Sequence, residues 1–210
     1  TGVAFVWVDM EGHNKCVCSL GVNAKVTIQD VQSYAHLFTD RSIVMTTLEH
    51  SSHLLDEISL MARQNNCILI VDPSSKDYSK LTPEIAGRID ILKPNEVETE
   101  MLTGIRVKTE EDAVQAIHVL KDKGIRMPVI SLGSRGVIYE YKGKATSVKG
   151  LRVNAVDTTA AGDTFIGSMA AKLSQGYSFQ ESIDYANRAA AYCVQHRGAQ
   201  ISIPFEENVL

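Results

Sequence analysis

Residues 157–167 read Asp157-Thr-Thr-Ala-Ala-Gly-Asp163-Thr-Phe-Ile-Gly167, a run of small residues that ends on a carboxylate. From Thr164 onward Phe165, Met169, Ala170 and Leu173 recur at helical spacing, so the turn empties into an amphipathic helix. The first amides of a helix have no partner inside it, and the helix dipole adds positive potential at the same end. Ala160, Ala161 and Gly162 carry almost no side-chain bulk, which lets an anion reach those donors. Asp163 stands where a base would accept a proton while the amides stabilise negative charge beside it. Such a pairing suits phosphoryl transfer. An aspartate here can also be no more than a helix cap, and the rest of the chain has to decide between the two.

A phosphoryl-transfer site must also hold nucleotide phosphates and their metal. No Gly-x-x-x-x-Gly-Lys-Ser/Thr run occurs, which excludes a P-loop. Asn95 and Glu98 lie one helical turn apart at the start of a predicted helix, placed to order magnesium through its water shell. The competing reading of Glu98 is a solvated first-turn acid. Other polar residues follow predicted strands: Glu49, Asp72, the run from Pro94 to Glu98, and Gly133-Ser-Arg-Gly136. Ligands of an open parallel sheet sit beyond the carboxyl ends of its strands, so these positions converge on one region. Turn and capping chemistry accounts for Asn95 and Gly133 taken singly.

Apolar runs at 43–45, 67–71, 89–92 and 129–132 alternate with helical patterns near 51–64, 95–103 and 109–123. That alternation predicts an α/β fold with a mostly parallel sheet covered on both faces. Thr27 with Asp30 opens a helix as a capping box. Segments 137–141 and 145–148, split by Lys142-Gly-Lys144, read as an edge hairpin, and helices near 161–174 and 178–195 close the chain. Residues 1–9 and 15–20 form a separate hairpin around Met10-Glu-Gly-His-Asn14, with Phe5 and Trp7 packed in it or in its interface. The expected division is a hairpin segment at 1–22 and one α/β domain at 23–210.

The 210 residues suffice for one sizeable core, and a net charge of −4 argues against nucleic-acid or membrane-surface partners. No apolar run reaches the roughly 18 residues of a membrane span. Cys16, Cys18, Cys67 and Cys193 show no CxxC spacing, so zinc is not expected, and buried thiols in a reducing cytoplasm are. The chain opens without methionine on the alternation Val3, Phe5, Trp7, as though cut inside a sheet.

The combination of Asp157-Thr-Thr-Ala-Ala-Gly-Asp163-Thr-Phe with Asn95-Glu-Val-Glu98 resembles the signatures of the ribokinase-like (PfkB) sugar kinases. Leu102-Thr-Gly-Ile-Arg106, Ser131-Leu-Gly-Ser-Arg-Gly136 and Gly198-Ala-Gln200 extend the resemblance from Thr1 nearly to Leu210. It implies a three-layer αβα sandwich with a small β-hairpin lid. It also implies transfer of the γ-phosphoryl of MgATP to a sugar primary hydroxyl, with ribose the favoured acceptor. A fructose, keto-deoxy sugar acid or nucleoside kinase, or a non-catalytic nucleotide-binding fragment, is the alternative.

On this resemblance Asp163 is the base and Ala160, Ala161 and Gly162 form the anion hole. Asn95, Ser131, Leu132, Gly133, Ser134, Arg135 and Gly136, with Gly162 and Asp163, would contact ATP, and Asn187 would lie near the adenine. Glu98 would hold Mg2+ through water. A monovalent cation, usually K+, would sit among Asp157, Thr159, Cys193, His196, Gly198 and Ser202, mainly on backbone carbonyls. Glu49 matches a position near the sugar, and the hairpin would close over the sugar and pair with that of a second subunit. Members of the family carry an Asn-x-Asp sugar contact and a Gly-Gly-Lys-Gly-Ala-Asn loop ahead of the segment matching Thr1, and neither occurs here. The expectation is therefore a chain lacking its N-terminal part and slow on sugar by itself.

Overall fold

The computed structural model describes residues 1–8, 14–75 and 77–209, so most of the expected 10–14 turn lies outside the described residues. Val3–Val8 (β1) and Asn14–Ser19 (β2) pair antiparallel as a two-stranded hairpin. Val3, Phe5 and Trp7 alternate onto one face, Val17 stands opposite Phe5, and all four are exposed. Ile28–Ser33 (α1) follows, opened by the Thr27–Asp30 capping box that its sequence predicts.

The main sheet has six strands in chain order: Ile43–Thr47 (β3), Ile68–Asp72 (β4), Ile91–Leu92 (β5), Met127–Ser131 (β6), Gly136–Tyr141 (β7) and Lys144–Lys149 (β8). Pairings from β3 to β6 are parallel and those from β6 to β8 antiparallel, so the hairpin predicted at the edge is there. Ser52–Gln64 (α2), Pro83–Ala86 (α3), Glu96–Thr103 (α4) and Glu110–Asp122 (α5) occupy the crossovers. Ala161–Ser174 (α6) and Phe179–Cys193 (α7) complete the chain.

Strand alternation sorts the apolar residues onto two faces. Leu69, Val71 and Leu92 pack with Leu54, Leu55, Ile58 and Leu120 from the crossover helices. Ile70, Ile91 and Val129 point the other way, against Phe165, Met169, Ile183 and Ala186 of α6 and α7. A third cluster joins Ile130 and Ile138 to Ala113 and Ile117 of α5. Each fully buried Leu, Ile or Met contributes about 1.5–3 kcal/mol, which is what holds the three layers together. The arrangement is the expected three-layer α/β sandwich. Among the described residues no helix is long and apolar enough to cross a membrane.

Two expectations are corrected. Cys67 and Cys193 are buried but Cys18 is exposed, on a two-stranded sheet separate from the main one. The strand expected over 89–92 shrinks to Ile91–Leu92, since the Ile89 amide still donates back to Ala86 O in the turn leaving α3.

The entry to α6 is tight. Ala160, its N-cap, has φ 62° and ψ 8°, the left-handed region in which a Cβ costs about 1–2 kcal/mol. Replacing Ala160 with glycine removes that strain and returns part of the gain as unfolded-state entropy. Denaturant unfolding should find Ala160→Gly more stable by roughly 0.5–1 kcal/mol; a loss of stability would mean that the methyl group itself is needed there.

Candidate active site

The turn holds its backbone carbonyls inward and leaves amides free. Thr164 N donates to Ala160 O at 2.8 Å, and Ala161 N makes only a long 3.3 Å contact to Thr158 O. Among the described residues the amides of Gly162 and Asp163 have no backbone acceptor, and Ala160 supplies no side-chain cap. Asp163 is exposed in the first turn of α6, and its carboxylate makes no hydrogen bond or ion pair with the described residues. The cap role is thus not taken up: the carboxylate lines a cleft with Thr164, Lys172, Tyr185, Pro204 and Phe205. An unpaired acid and free amides at one helix end are what the sequence predicts.

Lys93 and Asp72, at the carboxyl ends of β5 and β4, lie against the same turn. Lys93 is 3 % exposed, and its Nζ is 2.9 Å from Asp72 Oδ2. A Cβ built on Gly162 would stand 3.1 Å from that Nζ, so glycine is what lets the ammonium approach the helix end. Sequence reasoning singled out Asp72 but missed Lys93. Its signal was a lone cation directly after an apolar run and before Pro94-Asn95, where the end of a core strand can draw a paired lysine inward.

Asn95 and Glu98 form a reciprocal capping box: Asn95 N donates to Glu98 Oε2 at 2.8 Å and Glu98 N donates to Asn95 Oδ1 at 2.9 Å. The first task of this pair is therefore to start α4. Glu98 is not the solvated first-turn acid of the competing reading. Burial pushes its carboxyl above the ordinary carboxylate range, with Asp72 pushing further and the Asn95 amide and Lys93 pulling back. A desolvated carboxyl beside Asp72 and Lys93 suits a metal-bound water better than a free surface acid would.

The nucleotide-side residues form a connected strip. Ser131 N donates to Pro94 O at 2.9 Å, tying β6 to the start of α4. Gly133, Ser134 and Arg135 make a single 3-10 turn, and Arg135 reaches Glu96 at 2.5 Å and Lys108 O at 2.7 Å. Gly136 is obligatory at φ 100°, where a Cβ would lie 2.0 Å from Val148 O. The Leu132 side chain is buried beside Ile130 and Ile138, and its amide donates to Gly136 O at 2.8 Å. Asn187 is buried on α7 and donates to Lys149 O at 2.9 Å, while Gly150 N donates to Arg135 O at 3.1 Å. Asn187 and the 131–136 loop thereby share one support. Glu49 is exposed just beyond β3, its amide held by Thr47 Oγ1 at 3.2 Å.

The six residues expected around a monovalent cation are drawn together at the end of α7. Asp157 accepts from Thr159 N at 2.9 Å and Gly198 N at 3.0 Å. These amides, Gly198 first, hold its carboxyl below the ordinary carboxylate range. Cys193 Sγ sits 3.6 Å from Thr159 O and 3.2 Å from Ser202 Oγ. The His196 ring stacks on Tyr192 at 4.3 Å, so backbone is what His196 has to offer an ion. Loop carbonyls gathered beside an ionised carboxylate fit a weakly hydrated cation.

The profile of the pfkB family carbohydrate kinases matches residues 1–206. The chain is 36% identical over 210 residues to a ribokinase of Haemophilus influenzae and 33% identical over 210 residues to one of Staphylococcus aureus, covering 100% of this chain and 68% of each relative. A crystal structure of ribokinase from Thermotoga maritima superposes with a TM-score of 0.86 at 31% identity, over 100% of this chain and 68% of that one. With the free amides and the unpaired Asp163 at the head of α6, these matches give one conclusion: the chain belongs to the pfkB family of carbohydrate kinases, enzymes of ATP-dependent phosphoryl transfer to sugars.

Proposed function

We propose that the chain phosphorylates the primary hydroxyl of ribose from MgATP, giving ribose 5-phosphate. The observation that carries the reading is the exposed, unpaired Asp163 carboxylate one residue beyond a free amide. The relatives in Haemophilus influenzae and Staphylococcus aureus that share its whole length are ribokinases, which favours ribose over other sugars.

Asp163 takes the hydroxyl proton as the oxygen attacks, and the amides of Gly162 and Asp163 hold charge that grows on the transferred group. Ser131 to Gly136, Asn95 and Asn187 bind the nucleotide, and Glu49 faces the sugar. Glu98 orients a water on magnesium, which when bound neutralises phosphate charge. A potassium ion would be held by the carbonyls of Thr159, Cys193, His196 and Gly198, with Asp157 and Ser202, and would supply positive charge beside the turn preceding Ala160. The apolar face of the hairpin, Val3, Phe5, Trp7 and Val17, supports a lid that pairs with the hairpin of a second copy.

Asp163→Asn should lower kcat by about 10²–10⁴-fold while calorimetry finds MgATP binding intact. Turnover of ribose within a few-fold of the parent would remove Asp163 from the role of base. Potassium should stimulate transfer to ribose, and indifference to it would count against the cation loop. Asp157 makes a pH-dependent contribution. Its carboxyl is depressed in the folded state, so its stabilisation is complete above about pH 4 and fades as pH falls through the depressed value. Asp157→Asn should therefore melt below the parent at pH 7, with the gap closing in scans taken from pH 5 down to pH 3; a constant gap would show that charge plays no part.

A further inference from the structure

We propose that Lys93 is a catalytic residue whose ammonium contacts the phosphoryl group in flight, with Asp72 as the residue that positions it. The inference rests on the kinase reading above and adds a cation that the base and the free amides do not supply. A lysine ammonium has three donors and no acceptor. Among the described residues its partner is Asp72, at 2.9 Å from Nζ, and that contact engages one side of the group. Another side faces Gly162, where even a Cβ would come within 3.1 Å. With only hydrogens on the Gly162 Cα, nothing of the chain's own bulk at that position separates the ammonium from the space in front of the free amides.

A purely structural role explains less. A lysine that is 3 % exposed carries a desolvation cost that Asp72, even with Glu98 nearby, does not reliably offset, and an apolar residue would fill the same volume at the end of β5. Held by Asp72 on β4, by its own place after β5 and by the Gly162 gap, the charge is fixed before any ligand arrives. Fixed charge aimed where negative charge develops is the form of stabilisation that accelerates transfer. In the step itself the acceptor oxygen bonds to the γ-phosphorus as the bond from phosphorus to the bridging oxygen breaks. The broken bond's electron pair leaves with ADP, the hydroxyl proton goes to Asp163, and Lys93 keeps all of its protons.

The decisive comparison is Lys93→Met, which keeps length and apolar bulk, and Asp72→Asn, which keeps the cation but loosens it. Each is read against the parent in three ways: transfer to ribose, melting temperature, and affinity for ADP with and without aluminium fluoride, a mimic of the group in transit. Lys93→Met should lose about 10²-fold in kcat with the KM for ATP within about three-fold. The tightening of ADP by aluminium fluoride should fall by at least about ten-fold, and Asp72→Asn should show a smaller loss in the same direction. If the fluoride still tightens ADP as in the parent, in Lys93→Met or, should that variant not fold, in Asp72→Asn, Lys93 is only a buried ion pair. A parent that phosphorylates no ribose but shows the fluoride effect would sink the substrate reading and leave Lys93 in place; a parent that binds no ADP would sink both.

Discussion

Everything in the site depends on the amides at the head of α6 being left without partners. A helix start buried or exposed in this way is ordinarily satisfied by a Ser, Thr, Asp or Asn cap, as Thr27, Ser51, Thr82, Asn95, Thr109 and Ser178 do elsewhere in the chain. At α6 the cap position is Ala160, an alanine in the left-handed region with nothing to accept a hydrogen bond. Strain and unmet donors at one corner are tolerated where a ligand supplies the missing acceptor. The aspartate that would have made a good cap is displaced three residues into the helix, where its carboxylate is free for a proton.

The parallel half of the sheet sets four polar residues at or just beyond neighbouring strand ends. Glu49 follows β3, Asp72 ends β4, Lys93 follows β5 and Ser131 ends β6, in the order in which the strands lie side by side. Backbone contacts lock neighbouring ends: Leu48 N donates to Asp72 O, Lys93 N to Val71 O, and Ser131 N to Pro94 O. Asp72 and Lys93 therefore sit side by side at the roughly 4.8 Å spacing of neighbouring strands, while Ser131 lies two residues further along β6. The antiparallel pair β7 and β8 does a different job, carrying the Gly136 corner and the Lys149 carbonyl on which Asn187 rests.

Much of this was legible in the chain before any coordinates. One helix start was written in the capping box at Thr27, and helix and strand periods named nearly every element of the sandwich. The Asp163 turn was legible because small residues before an amphipathic run have few other uses. Boundaries were less so: β5 starts late because the Ile89 amide still bonds back to Ala86, and α3 was unseen because a helix of four residues has no period to read. Cys18 defied the expectation of burial since strand alternation says which face a thiol takes but not whether anything covers that face.

The sequence by itself determined the chemistry available: an acid after a bulk-free turn, an Asn-x-x-Glu helix start, and loop residues able to wrap phosphate and cation. These are local matters, set by residue types a few positions apart. Tertiary structure alone decided that Lys93, 69 positions before Gly162 by number, would press its ammonium against that glycine. It also decided that Asp72 would hold the ammonium there and that Glu98 would be partly buried beside them. Burial, charge pairing and pKa depend on which strand ends become neighbours, and that is fixed by packing of the whole sheet between its two helical layers rather than by any short stretch of chain.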